Sequence, residues 1–169
     1  MAWPWLAASL RSMNIIRLET FIDAPIDRVF DLSRSVELHK LSTKGTHEEA
    51  VAGKMAGLVE LNDFITWRAK HLGFFQRLTV KIIAMDRPRS FVDTMLKGAF
   101  AYMRHTHLFE VSGAGTLMTD VFEYKSPLGM LGRMADHLFL KDYMTKLLIN
   151  RNLEIKSVAE GDRWKDLLG

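Results

Sequence analysis

The sequence predicts an α+β fold, in which a curved antiparallel sheet of about six or seven strands wraps around one long C-terminal helix and two short helices follow the first strand. Residues 64–125 divide into long alternating segments joined by short turns, which favours a meander of sequential antiparallel neighbours. Residues 126–160 carry an approximate helical stripe of apolar side chains. A sheet with one apolar face and a single amphipathic helix bury those surfaces against each other.

The N-terminal part predicts one strand and two short helices. Residues 15–23 alternate in the manner of a half-buried strand. Pro25 suits the first position of a helix, where its missing N–H is no loss, and this helix is expected to end near Ser33. Ser35 is a candidate N-cap for a second helix over residues 36–41.

The other strands are predicted from alternation and from the Gly- or Pro-containing turns between them. Leu72-Gly73 is typical of a tight hairpin turn, and Arg87-Pro88, Gly98 and residues 112–115 mark the later turns. The predicted strands cover residues 46–52, 64–71, 74–85, 90–97, 100–111 and 116–125.

The last element is predicted as one long helix that begins at Ser126-Pro127 and ends near Gly161. Gly129 and Gly132 lie in its first turns, where close packing, room for a ligand or simple fraying would each explain them. The apolar stripe of this helix consists of Leu131, Met134, Ala135, Leu138, Tyr143, Met144, Leu147, Leu148, Ile155 and Val158.

Length and composition favour a single domain over residues 13–160, with a loosely ordered extension (1–12) and a polar tail (161–169). The net charge is only +3, with acids and bases interspersed, which argues against nucleic-acid binding. Cysteine is absent, which excludes disulfides and thiol nucleophiles and fits a cytoplasmic location. No apolar run reaches the roughly 20 residues of a membrane-spanning helix, so no stable membrane insertion is expected.

One face of the predicted sheet carries polar residues among apolar ones. Asp93, His105, His107 and Asp120 share this face by period-two counting. An apolar face contains charged groups only where these are paired or solvated. A mostly apolar wall with a few polar anchors is typical of a small-molecule pocket. The predicted ligand-binding residues are Trp67, His71, Phe91, Asp93, Met95, Met103, His105, His107, Phe109, Asp120, Phe122 and Tyr124.

The turns also predict the register of the sheet. They place Trp67 opposite Leu78, Ile65 opposite Val80, Ile82 beside Asp93 and Ala84 beside Phe91. They further set Asp93 beside His105, Phe91 beside His107, His107 beside Asp120 and His105 beside Phe122. Directly opposite residues have Cβ atoms about 5 Å apart, which predicts two acid–histidine pairs, Asp93–His105 and His107–Asp120.

Four roles are open for these pairs. They could be structural pairs that neutralise buried charge, anchors for the polar end of an apolar ligand, or general acid–base catalysts. A metal site is the fourth, because two histidines two residues apart on a strand can share an ion, but nothing in the spacing selects it. No metal and no cofactor is therefore predicted. Trp67 and His71 share the same inward face, where the tryptophan could stack on a flat ligand or simply fill the core.

Several motifs carry a family resemblance. They are Phe21-Ile22-Asp23-Ala24-Pro25 with Val29-Phe30, Thr66-Trp67-Arg68-Ala69 with His71 and Gly73, Arg87-Pro88 with Phe91, residues 105–109, and Ser126-Pro127-Leu128-Gly129. In these motifs and in the order of its elements, the chain resembles the START and birch-pollen-allergen (SRPBCC) superfamily, and within it a bacterial group labelled polyketide-cyclase-like or cell-division-related.

The resemblance implies the helix-grip fold, with a hydrophobic cavity between sheet and helix, and lipid-, polyketide- or isoprenoid-like ligands. Members include carriers and enzymes, and no catalytic motif transfers to this chain. The expected function is binding of a small hydrophobic molecule by a monomer or homodimer. The alternatives are a cyclase- or hydratase-type enzyme with a His–Asp pair, or a non-catalytic regulator that acts through its surface.

Overall fold

The computed structural model describes residues 13–71, 73–127 and 129–169, so the predicted N-terminal extension and Leu72 of the first hairpin turn lie outside the described residues. In chain order the elements are β1 (Asn14–Ile22), α1 (Ile26–Ser33), α2 (Val36–Ser42), a 3₁₀ turn (Lys44–Thr46), β2 (Glu49–Gly53), β3 (Phe64–His71), β4 (Phe74–Asp86), β5 (Ser90–Lys97), β6 (Tyr102–Ser112), β7 (Gly115–Lys125), α3 (Gly129–Ala135), a π-helical turn (Asp136–Leu140), α4 (Lys141–Glu160) and α5 (Trp164–Leu168).

The strands form one antiparallel sheet in the order β1-β7-β6-β5-β4-β3-β2. Each strand from β2 to β7 pairs with its neighbour in sequence, and β1 completes the sheet beside β7. The predicted α+β architecture of a curved antiparallel sheet, two short helices after β1 and a long C-terminal helix is confirmed.

The register of the sheet follows the prediction at almost every hairpin. Asp93 is paired with His105, and His107 with Asp120. The predicted partnership of Ala84 with Phe91 is wrong, because a bulge after Ile82 shifts β4 by one residue and pairs Ala84 with Val92. The bulge lies beyond the Ile82–Asp93 pair, so Asp93 keeps its predicted position.

The two short helices cover one end of the sheet. The Ser35 hydroxyl accepts a hydrogen bond from the Leu38 N–H at 3.2 Å, which confirms the predicted N-cap of α2. Phe30 of α1 makes edge contacts with two aromatic rings of the sheet, Phe91 at 5.7 Å and Phe109 at 5.4 Å. The strand predicted over residues 46–52 is shorter in the structure, because residues 44–46 form the 3₁₀ turn instead.

The C-terminal helix contains a π-helical turn that the sequence pattern does not predict. A π-helical turn separates α3 from α4, and its first residue, Asp136, accepts hydrogen bonds from Asn14 at 2.8 Å and Ser126 at 2.5 Å. Met134 and Leu138 of the predicted stripe are exposed rather than inward. Leu131 and Ala135 of the predicted stripe have side chains outside those described.

Helix α4 buries Leu148, Ile155 and Val158 against the sheet. Beyond it, the predicted polar tail contains the short helix α5, which returns to the domain and places Trp164 4.1 Å from the guanidinium of Arg28. Of the helices within the described ranges, none is both long and apolar enough to cross a membrane.

Candidate functional site

A cavity of about 470 Å³ lies between the curved sheet and the helices. Its walls come from β3 to β7 on the sheet side and mainly from α2 and α4 on the other side. Most of the lining is apolar, with Ile65, Val80, Ile82, Met144 and Leu147 as typical members. Pockets for small molecules are commonly of this size and character.

The structure brings most of the predicted site residues to this cavity. Eight of them line it: Trp67, His71, Phe91, Asp93, Met103, His105, His107 and Phe122. The other four do not line it, and three of these, Phe109, Asp120 and Tyr124, are fully buried behind the wall. Met95, the fourth, is partly buried and packs against the core.

A buried polar network forms one wall of the cavity. We call it the inner network, and it consists of Asp93, His105, His107, Asp120, Arg151 and Asn152. His105 Nε2 donates to Asp120 Oδ1 at 2.9 Å, and His107 Nε2 donates to Asp93 Oδ1 at 3.2 Å. The ring nitrogens must be the donors here, because an ionised carboxylate can only accept.

Neither histidine therefore makes its hydrogen bond to the carboxylate predicted for it. His105 bonds to Asp120 rather than to its register neighbour Asp93, because a histidine is long enough to reach the diagonal position on the next strand. His107 Nδ1 does lie 3.0 Å from Asp120 Oδ1, as the register predicts, but the two atoms are not aligned for a hydrogen bond. His107 thus lies between both carboxylates.

Helix α4 supplies the other partners of Asp120. Asn152 Nδ2 donates to Asp120 Oδ2 at 2.7 Å, and Arg151 Nη1 lies 3.3 Å from Oδ1. Arg151 and Asn152 were absent from the predicted site. Their signal in the sequence is a polar pair inside the apolar stripe, between Leu148 and Ile155.

The surroundings set the charge of each group. Burial alone would raise the pKa of Asp120, but the hydrogen bond from His105, the adjacent His107 ring and the charge of Arg151 hold that pKa well below its usual range. Burial would likewise raise the pKa of Asp93, but the hydrogen bond from His107 outweighs it and the pKa is lowered. Burial and the neighbouring His107 lower the pKa of His105 to about 4. At neutral pH the network thus presents ionised carboxylates and a neutral His105.

Three members of the network have the spacing of a metal site. One ligand atom each from Asp93, His105 and His107 lies within 4.8 Å of the others. The Nε2 atoms of both histidines are already engaged with carboxylates, so a metal would have to compete with these hydrogen bonds.

Solved structures share this architecture. A protein of Thermus thermophilus is 22% identical, with a TM-score of 0.68 over 86% of this chain and 99% of that one. The major latex-like protein 151 of Panax ginseng is 13% identical, with a TM-score of 0.66 over 89% of this chain and 99% of that one. The di-domain ARO/CYC StfQ from the steffimycin biosynthetic pathway is 10% identical, with a TM-score of 0.72 over 92% of this chain and 53% of that one.

The chain has the helix-grip fold. This is the fold that the resemblance to the SRPBCC superfamily implies, so that part of the expectation is confirmed. No protein-family model and no curated protein matches the sequence. At these identities the structural likeness extends to the fold alone, because a shared fold does not determine an activity.

A second polar group lines the helix-grip cavity near the end of β3. We call it the outer cluster, and it consists of His39, Glu48, His71 and Tyr143. His71 Nδ1 and the Tyr143 hydroxyl are 2.9 Å apart, while Glu48 Oε1 is 3.4 Å from His39 Nε2. The His39 ring stacks on Trp67 with centroids 4.2 Å apart.

The sequence predicted only His71 of the outer cluster as a site residue. Tyr143 was assigned to the apolar stripe of the last helix, and it does lie on the inward side. His39 and Glu48 are brought in by the packing of α2 and of the segment after the 3₁₀ turn onto β3. Nothing in their local sequence distinguishes them from surface residues.

Proposed function

We propose that this protein binds a small hydrophobic molecule, of lipid-, polyketide- or isoprenoid-like chemistry, in the cavity between its sheet and α4. The observation that carries the proposal is the cavity itself, about 470 Å³ with largely apolar walls. Interiors of proteins are normally packed with few voids larger than a water molecule, so a space of this size is a feature that needs an occupant.

The driving force would be the removal of apolar surface from water. Transfer contributes about 25 cal/mol per Å² of apolar surface, before the entropy cost of association is subtracted. Binding removes apolar surface of the cavity wall from water as well as that of the ligand, because side chains such as Val80, Ile82 and Leu147 face the cavity. An apolar molecule therefore suits the space better than a polar one.

The inner network would orient the polar part of the ligand. Asp93 lines the cavity with a side chain that is 14% exposed, and its carboxylate has acceptor capacity beyond the bond from His107. His105 and His107 line the cavity beside it. A polar group placed there would exchange its hydrogen bonds to water for bonds to buried groups.

The fold comparison supports one ligand class in particular. StfQ, a di-domain ARO/CYC of a biosynthetic pathway, overlaps this chain over half of its own length. A polyketide-like aromatic molecule would also stack well against Trp67 or Phe91. The cytoplasmic location and the monomeric or dimeric state stay predictions.

Two neighbouring substitutions on β3 test the proposal. Ala69 is buried and lines the cavity, whereas Lys70 points to the opposite face and is exposed. Ala69→Trp should obstruct the cavity and weaken binding of the apolar fluorescent probe anilinonaphthalene sulfonate about tenfold or more, because the probe loses apolar contacts. The Lys70→Trp variant should bind the probe with the same affinity as the wild-type protein.

The measurement is a fluorescence titration of each folded variant, with circular dichroism as the check on folding. Equal probe affinity in wild type and a correctly folded Ala69→Trp variant would show that the cavity is not the binding site. Native mass spectrometry of gently purified protein would then identify the natural occupant directly.

A further inference from the structure

We infer that the outer cluster is a second polar subsite of the cavity, so that the ligand is an elongated, largely apolar molecule with a hydrogen-bond donor such as a hydroxyl at each end. This inference rests on the proposed function, since it concerns the same cavity. It adds a requirement that apolar burial alone does not impose, namely a second polar group at a defined distance from the first.

The outer cluster is assembled from four separate parts of the chain. His39 comes from α2, Glu48 from the segment before β2, His71 from the end of β3 and Tyr143 from α4. His47, just before Glu48, adopts the left-handed conformation with φ of 50°, and the side chain of Glu48 is then only 11% exposed. A non-glycine residue in this conformation is uncommon. Here it immediately precedes Glu48, whose carboxylate lies in the cavity wall.

The cluster has hydrogen-bonding capacity that its own members do not fill. His39 Nε2 is buried without a hydrogen-bond partner among the described residues, and its distance of 3.4 Å to Glu48 exceeds the usual range for such a bond. A buried polar atom without a partner is destabilising, and a ligand group bound between His39 and Glu48 would satisfy both.

The charge of the cluster selects a donor rather than an acceptor. Burial would raise the pKa of Glu48, but the nearby His39 and His71 outweigh it and the pKa is lowered, so the carboxylate is ionised at neutral pH. Burial lowers the pKa of His71 and raises that of Tyr143, so these two side chains are neutral. An ionised carboxylate beside these two neutral side chains favours a hydroxyl or another donor.

The outer cluster and the inner network lie at different levels of the sheet. Asp93 is paired with Ile82, whose N–H donates to Asp63, just before β3 begins. His71 lies eight residues further along that strand, which corresponds to about 26 Å of strand length at 3.3 Å per residue. His39 stacks on Trp67, four residues along the strand from Asp63, so about 13 to 26 Å of strand length separates the two polar groups.

Terminal diols and mono-alcohols of matched chain length, from decane to hexadecane, are the probes that test this inference. Their affinities would be measured by calorimetry for the wild-type protein and for two neighbouring variants, Glu48→Met and Glu49→Met. Glu49 is the matched control, because it is exposed on the surface and paired with Arg68. At the chain length that spans both ends, the diol should bind wild type about tenfold more tightly than the mono-alcohol, since a hydrogen bond to a charged group is gained.

The preference for the diol should disappear in Glu48→Met and persist in Glu49→Met, whose mono-alcohol affinity should equal that of wild type. Circular dichroism checks that Glu48→Met is folded. If diol and mono-alcohol bind wild type equally at every chain length, the second subsite is wrong and the proposed function still stands. If neither type of alcohol binds, the proposed function fails, and this inference fails with it.

Discussion

Asp120 is the residue on which most of the inner network converges. His105, Arg151 and Asn152 contact its two carboxylate oxygens, and its side chain has no exposed surface. A buried carboxylate is costly unless it is paired and hydrogen-bonded, and these three partners meet that cost from two different elements. Asp120 therefore supports the histidines that line the cavity and does not line it itself.

The titration of His105 predicts a loss of stability in mild acid. Its pKa in the folded protein is about 4, whereas in an unfolded chain it is near the ordinary 6.5, so the unfolded state takes up a proton first as the pH falls. The stabilisation is complete when the pH is above the pKa of the unfolded state. It is lost as the pH falls toward the pKa of the folded state. From about pH 7 to about pH 5 the expected loss is about 2 kcal/mol in the free energy of unfolding.

Urea unfolding at the two pH values measures this loss. His105→Gln keeps a donor for Asp120 but does not titrate, so it should remove more than half of the loss. A smaller part remains because burial also lowers the pKa of His71. His47→Asn, at an exposed position, should behave like wild type. An unchanged pH dependence in His105→Gln would contradict the assignment.

At the residue scale, the sequence predicted which face of the sheet each residue occupies better than it predicted the hydrogen-bond partners. Period-two counting placed Asp93, His105, His107 and Asp120 on one face, because strand side chains alternate strictly. Which carboxylate each histidine bonds depends on side-chain conformation and on Arg151 of α4, which lies 31 residues away from Asp120 in sequence. Neither is contained in the pattern of a single strand.

At the element scale, the junction between β7 and α4 departs most from the prediction. An apolar stripe indicates that a helix exists, but a π-turn inside it depends on tertiary bonds to one side chain, here those of Asn14 and Ser126 to Asp136. The strands were predicted more closely, because Gly and Pro turns fix both their ends. The outer cluster depends on the docking of α2 against β3, which no local pattern describes.

Gly132 provides a prediction at this scale. A Cβ atom at this position would lie 1.9 Å from the carbonyl oxygen of Pro127, so the glycine allows α3 to pack closely on the preceding segment. Gly132→Ala should destabilise the fold by about 1–3 kcal/mol, since the clash exceeds the roughly 1 kcal/mol that alanine gains in helix propensity. Among the three explanations for this glycine, the structure favours close packing.

The matched control is Gly45→Ala, because a Cβ at Gly45 meets no atom within 4 Å. Chemical denaturation of both variants compares them, and Gly45→Ala should stay within about 0.5 kcal/mol of wild type. Equal stability of the two variants would mean that α3 can shift away from Pro127 without cost.

At the scale of the whole molecule, the hydrophobic core is one continuous cluster beside the cavity. Phe30, Phe91 and Phe109 pack on one another in it, and Ile155 and Val158 of α4 belong to the same cluster. Where the sheet and α4 face each other across the cavity, the walls lack the dispersion contacts that a filled core would supply. The fold is held by this cluster and by the inner network that bridges β5, β6, β7 and α4.

A ligand that fills this space should therefore stabilise the whole domain. At a free concentration of about one hundred times its Kd, a molecule that binds only the folded state contributes about 2.7 kcal/mol, which raises the Tm of a domain of this size by about 5–10 °C. Differential scanning calorimetry with decanol measures the shift for wild type and for the Ala69→Trp variant. The Tm of the wild-type protein should rise and that of Ala69→Trp should not, because the introduced tryptophan obstructs the cavity. An equal rise in Tm for both proteins would show that the alcohol binds at the surface and not in the cavity.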